Sequence, residues 1–397
     1  MEKVPPQEIG QRLERFQADL AAHDLDAALL FQNVDIYYFS GTIQSSILFI
    51  PTEGEPILMV QKGFPRVKEE CPLRNIVAAN GKSHLLGTLR DFGIQRLERL
   101  GIEMDVLPAQ RYLWLTETFA QCRFVDVSDS IRKQRMIKSL YEIDQIRKAA
   151  AILHQGYREI QGFIKEGVSE LEIDGRLAFI ARREGHMGIL RMRGWNQEMT
   201  HAHVLSGDSG SVVTFLNSPH GGSGNTPAMA QGASFRRIRK NEPIGIDYGV
   251  GINGYLADQF RTFVIGDLHR DLEKAHKCSK EIHDLFSREA KPGISCSELY
   301  SIAKDFASQA GLGEWFMGHG EGQVRFIGHG LGLEIDELPV IAPTFEETLG
   351  QGMVIAFEPK FVFPGKGVVG MEDDYLVTHS GVERLTLTEQ VLIKLKL

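Results

Sequence analysis

The stretch IGIDYGVGINGYLADQFRTFVIG, residues 244–266, decides how this chain is read. Apolar runs flank a glycine-rich middle (Gly249, Gly251, Gly254), which predicts two antiparallel strands joined by a turn. Asp247 and Asp258, eleven residues apart, can then face one side of a sheet. Downstream, His329 stands between glycines in RFIGHGLGLE, where the missing Cβ atoms allow backbone to approach a crowded site. Glu358 and Glu372, fourteen apart, fall in the strand-like runs MVIAFEP (353–359) and VVGMEDDYLV (368–377).

Charged residues are depleted in strands and are almost never fully buried without a partner. Two divalent ions would bring four positive charges against the four carboxylates and a neutral imidazole, nearly cancelling the repulsion that raises carboxylate pKa values. The set Asp247, Asp258, His329, Glu358 and Glu372 therefore reads as a pair of metal sites. Its oxygen-rich donors suit Mn or Co first, with Fe(II) and Zn as alternatives.

Around this core the chain is of ordinary globular composition, 397 residues with 43% hydrophobic content, enough for two or three domains. A net charge of -8 excludes the basic footprint of a nucleic-acid binder. The short basic cluster Arg236, Arg237, Arg239, Lys240 reads as a solvated turn before a strand. Four scattered cysteines without a C-x-x-C spacing suit a reducing compartment. No run approaches the roughly 20 apolar residues of a membrane span, and the N-terminus is too polar for a signal peptide. These features predict a cytoplasmic protein.

Helical spacing over residues 8–23 is followed by the strand-like DAALLFQNVDIYYF, then by SSILFIP and EPILMV around the turn TEGE. Alternating elements up to about residue 130 indicate an α/β domain, bounded by the charged stretch SDSIRKQRMIKS. From Ser139 a long helix is predicted, with Leu140, Ile143, Ile146 and Ala150 on one face and a capping box at Ser139 and Glu142. A helical pair split by KPGIS follows between 270 and 311.

The motifs D-Y-G-x5-GY-x-x-D-x-x-RT-F, GHG-x-GLE, EP and ED resemble the pita-bread superfamily of aminopeptidase P, prolidase, creatinase and methionine aminopeptidase. The likeness covers roughly the whole chain and implies a creatinase-type N-terminal α/β domain over 1–133 and an α+β pita-bread catalytic domain over 134–397. It implies that Asp247, Asp258, His329, Glu358 and Glu372 bind a dinuclear centre, with Asp258 and Glu372 bridging. Glu358 would also be the general base, and a hydroxide bridging the metals the nucleophile. A homodimer is expected as well, because family N-terminal domains commonly close the partner's active site.

Three positions depart from the family pattern. The histidine that follows the metal histidine in the peptidases is here Asp336, in EIDELP, a poor proton donor near pH 7 unless desolvated or set beside another carboxylate. A second family histidine, shortly before the first metal aspartate, has no counterpart in GGSGNTPAMAQGAS. An arginine two residues before the last glutamate is replaced by Gly370. His220, His201 and His203 are the candidates to supply the missing imidazoles, against the reading that each is an ordinary loop histidine. GGSGNTP lacks the GK[ST] of a phosphate loop and reads as a pocket-lining loop.

Three functions follow from these residues. The first is an Xaa-Pro aminopeptidase or dipeptidase, supported by the complete ligand set. The second is a non-peptidase enzyme on the same scaffold, an amidinohydrolase or amide hydrolase acting on a small C–N bond or a C–S lyase, supported by the altered pocket. The third is a catalytically silent binding module, which retention of all five ligands opposes. The partner is a peptide or a small molecule, with neither nucleic acid nor membrane expected.

Overall fold

A computed structural model describes residues 2–79, 82–200 and 202–395. The chain forms two compact units, Met1–Arg135 and Met136–Leu397.

The first unit contains helix α1 (Pro6–Ala22), strand β1 (Ala27–Leu30), α2 (Asn33–Ser40), β2 (Ser46–Pro51), β3 (Ile57–Val60), α3 (Phe64–Glu70), β4 (Asn75–Ala78), α4 (Lys82–Asp91), β5 (Arg99–Ile102), α5 (Ala109–Thr118), β6 (Arg123–Asp126) and α6 (Ser128–Met136). Its six strands make one mixed sheet in the order β4-β3-β2-β1-β5-β6. The run DAALLFQNVDIYYF is not one strand. It breaks at Gln32, whose side chain accepts from the backbone N–H groups of Val34 and Asp35 and starts α2. Periodicity alone cannot separate a buried apolar helix from a strand, and α2 is buried on nearly every side. The charged stretch 128–138 is largely helix α6 rather than a loose connection, and Arg135 on it is buried against Asp35 at 2.8 Å.

The second unit contains α7 (Leu140–Ile160), α8 (Glu170–Arg183), β7 (Ala202–Ser206), β8 (Ile244–Ile252), β9 (Tyr255–Ile265), α9 (Arg270–Glu289), α10 (Cys296–Gln309), β10 (Gly328–Gly330), β11 (Glu337–Val340), β12 (Val354–Phe357), β13 (Lys360–Phe363), β14 (Gly367–Gly370), β15 (Asp373–Val377), β16 (Val382–Arg384) and β17 (Ile393–Leu395). The capping box at Ser139 and Glu142 is formed, and Ile143, Ile146 and Ala150 are buried. Leu140 is not: at 86% exposure it lies off that face, on the first turn of the helix. Asp247 and Asp258 lie in the sheet β17-β9-β8-β7 and His329 in the sheet β11-β10-β12-β15-β16, with the pair β13-β14 falling in sequence between Glu358 and Glu372. Burial of Phe286, Phe357, Phe361 and Tyr375 in one cluster packs α9 against these strands.

Candidate metal centre

The hairpin of residues 244–266 sets the first two carboxylates. Ile252 pairs with Tyr255, so the turn is Asn253–Gly254, and both residues have positive φ, as a two-residue hairpin turn demands. Asp247 faces Phe260 and Gly249 faces Asp258 across the ladder, which puts both carboxylates and the Phe260 ring on one face. The Tyr157 hydroxyl from α7 is shared between the carbonyls of Ile246 and Gln259, each next in sequence to one of the two aspartates.

His329 occupies the middle of β10, which lies beside β12. The two glutamates are not inside strands. Glu358 follows the end of β12, and Glu372 lies in the gap between β14 and β15. These breaks turn the side chains away from a regular ladder, and the Glu372 gap is stitched to β9 by an Arg261–Met371 bridge and by Glu372 N–H donating to Phe260 O at 3.1 Å.

Asp258, His329 and Glu372 each offer a ligand atom, all within 4.8 Å of one another, a group that fits one divalent ion. The space among Asp247, Glu358 and Glu372 is filled by a side chain the sequence reading passed over. Lys360 Nζ donates to Asp247 Oδ2 at 3.1 Å, Glu358 Oε2 at 2.8 Å and Glu372 Oε2 at 2.7 Å. All three ammonium protons are used. The ammonium also lies 4.9 Å from the centre of the Phe260 ring. Glu358 divides its oxygens, with Oε1 3.8 Å from His329 Nε2. Lys360 thus engages three of the four carboxylates that the sequence assigned to a pair of ions.

The signal for Lys360 was available. It is two residues beyond Glu358, a spacing that returns a side chain to the same side of an extended segment. The loss of arginine at 370 belongs with it, because Lys360 and Gly370 are directly paired between β13 and β14. A Cβ at 370 would fall 2.7 Å from Pro359 O and 2.9 Å from Lys360 Cα. Close approach of the two backbones requires glycine there, and the basic group comes from the opposite strand.

Electrostatics follow from this packing. Burial works against the Lys360 ammonium, but Asp247, Glu358 and Glu372 outweigh it and hold its pKa well above the usual lysine value. Burial, with the charge of neighbouring carboxylates, pushes Asp258 and Glu372 well above the usual carboxylate range. Asp247 goes the other way: Lys360 and His220 overcome its burial and hold it well below that range.

His220 Nε2 lies 2.9 Å from Asp247 Oδ2, its ring edge-on to Phe260. His203, on β7 opposite Asp247, is edge-on to His220 at 6.2 Å. Burial lowers its pKa to about 4, and its Nε2 has no hydrogen-bond partner among the described residues. His201 lies outside the described residues. Asp336 is half-buried, with Oδ1 unbonded among the described residues, and desolvation raises its pKa although His329 opposes the shift. Beside His220, a cavity of about 120 Å³ is lined by Ser211, Thr214, Pro219, Gly221, His319 and Val362. His319 was also overlooked; its Nε2 is 3.2 Å from Ser211 O.

An α/β unit followed by a pita-bread unit with a buried, acid-rich centre defines a creatinase- and prolidase-type metallohydrolase. Residues 144–379 match Metallopeptidase family M24, and residues 12–137 match the Creatinase/Prolidase N-terminal domain. The chain belongs to metallopeptidase family M24. It is 28% identical to an Xaa-Pro dipeptidase of Pyrococcus furiosus over 389 residues, covering 96% of this chain and 99% of that protein. Among solved structures, the prolidase from Pyrococcus horikoshii OT3 superposes with a TM-score of 0.81 at 28% identity, over 96% of this chain and 100% of that one. An Xaa-Pro dipeptidase from Bacillus anthracis gives a TM-score of 0.83 at 25% identity, over 98% and 100%. No helix among the described residues is long and apolar enough to cross a membrane.

Proposed function

We propose that this protein is a metal-dependent hydrolase of short peptides, with Xaa-Pro dipeptides as the leading substrate class and Mn or Co as the leading metals. The observation that carries the reading is the convergence of Asp258, His329 and Glu372, with Asp247 and Glu358 beside them, from separate strands and strand ends onto one spot. Full-length similarity to an Xaa-Pro dipeptidase supports the substrate class. A bound divalent ion supplies Lewis acidity toward a carbonyl oxygen and a water acidic enough to lose its proton near neutral pH.

The protein's own groups supply the rest. Glu358, with one oxygen fixed by Lys360 and the other toward His329, is the general base that takes a proton from water and passes it to the departing amine. Asp336, desolvated and with one oxygen unbonded among the described residues, holds a proton more readily than an exposed aspartate and offers it as a hydrogen bond to the substrate where the peptidases use histidine, while the proton that reaches the amine comes from Glu358. His203 and His220, buried and with lowered pKa values, are the imidazoles we assign in place of the family's pocket histidines. The four free cysteines support a reducing, cytoplasmic setting. The creatinase-type N-terminal unit supports a homodimer, to be checked by sedimentation.

The test is hydrolysis of Xaa-Pro di- and tripeptides with added Mn or Co. Turnover should vanish on chelation, return with metal and be lost in Glu358→Gln. Hydrolysis that persists through either change sinks the reading. A second reading, hydrolysis of a small non-peptide amide, is favoured by Asp336 and by the exchange of an arginine at 370 for Lys360. Metal-dependent turnover of small amides without turnover of Xaa-Pro peptides would select it.

A further inference from the structure

We infer that Lys360 permanently takes the place of one of the two divalent ions, leaving a centre that binds a single ion on Asp258, His329 and Glu372. The inference rests on reading the site as a metal centre, and is independent of the substrate. The Lys360 side chain is 1% exposed and reaches three carboxylates at 2.7–3.1 Å. A divalent ion on the same oxygens would sit at about 2.0–2.2 Å from each. The two cannot share that space.

Three further features make the ammonium a built part of the site. Its donors are all satisfied, so no proton is left unbonded in the interior. The Phe260 ring lies under the cation, its centre 4.9 Å from Nζ. Gly370 lets β13 and β14 come close enough to deliver the lysine, since any side chain there would collide with Pro359 O and Lys360 Cα.

The displaced ion is the one on the Asp247 side. Asp247 Oδ2 has the Lys360 ammonium at 3.1 Å and the His220 imidazole at 2.9 Å as neighbours, so that oxygen is already ion-paired. On the other side, Asp258, His329 and Glu372 remain grouped, and Glu358 keeps Oε1 near His329. An ammonium balances charge and orients carboxylates, but has no open coordination position. Lys360 is therefore a positioning residue, and Lewis-acid chemistry falls to one ion alone.

Metal content decides the matter. After loading the full-length protein with Mn and removing excess by gel filtration, elemental analysis should give one ion per chain, and electron paramagnetic resonance an isolated Mn signal. Lys360→Gly should bind two, with an exchange-coupled signal. Two ions or a coupled signal in the unaltered protein would overturn the inference, as would no bound ion. So would a natively melting Lys360→Gly that still holds one. If that variant fails to fold, the stoichiometry and spectrum of the unaltered protein remain decisive. One ion per chain without peptidase activity would sink the substrate proposal and leave this one standing.

Discussion

Glu372 and Asp373 are neighbours in sequence, both buried, and opposite in their surroundings. Asp373 Oδ1 accepts from Arg261 Nη2, Gln259 Nε2 and Thr386 Oγ1, each at 2.7 Å, and Oδ2 accepts from Gln390 Nε2 at 2.8 Å. Despite burial, Arg261 and His283 hold its pKa below the usual value. Arg261 in turn spends its remaining donors on the carbonyls of Phe260, Glu372, Thr388 and Glu389. Glu372 has the Lys360 ammonium and a crowd of like charges, and is pushed up. One carboxylate has donors on both oxygens, whereas the other has the single ammonium contact of Lys360 among the described residues. Structural and functional burial of the same chemistry can thus be told apart by counting donors.

This contrast can be broken by experiment. The largest effect is expected from Arg261→Met, which strands Asp373 without its counter-ion and should cost about 3–5 kcal/mol of unfolding free energy in a denaturant titration. A loss under 1 kcal/mol would show that the Asp373 network is not structural. Glu372→Gln should do the reverse. Turnover should fall by roughly 10²–10³-fold, on the scale of removing one group that stabilises charge in a transition state, while the melting temperature holds or rises as a repelling charge is removed. A matching drop in melting temperature would erase the distinction. His220→Asn removes the imidazole 2.9 Å from Asp247 Oδ2, and activity should drop roughly 10–100-fold with the fold intact.

The grouping of Asp258, His329 and Glu372 was anticipated from the motifs around them, and the facing of Asp247 and Asp258 from the hairpin pattern. The Asn253–Gly254 turn alone sets the register that puts Asp247 and Asp258 on one face. Lys360 was passed over for a physical reason. The run MVIAFEP reads as a strand closed by Pro359, so the residue beyond it falls outside the pattern, yet Glu358 already lies past the strand's end. Helix α2 escaped because its apolar residues carry no polar face to give a period, and its cap, Gln32, is an unusual one. The environments of His203 and His220 depend on packing across β7 and β8, which no local spacing reveals.

The smallest expected effect concerns two histidines on α9. Burial lowers His276 and His283 from 6.5 to about 4. His283 is flanked by the Tyr375 hydroxyl at 3.0 Å and Met371 O at 3.3 Å, with Asp373 and Arg261 acting on it in opposite directions. Because the unfolded chain binds the extra protons, stability is complete above about pH 6.5 and declines as pH falls toward 4. At pH 5.5 each histidine should cost about 1.4 kcal/mol. His283→Gln should flatten the slope of melting temperature against pH by its share, and an unchanged slope would remove this residue from the account.

Tyr157 has one hydroxyl proton and two carbonyls to give it to, those of Ile246 and Gln259. It works as a strut between the two strands at the point where each is about to present its aspartate. The separation of Asp247 from Asp258 is therefore a mechanical property set from helix α7, on the face of the sheet opposite the two aspartates. Slack introduced there would reach the centre as a change in bite, with every ligand still in place.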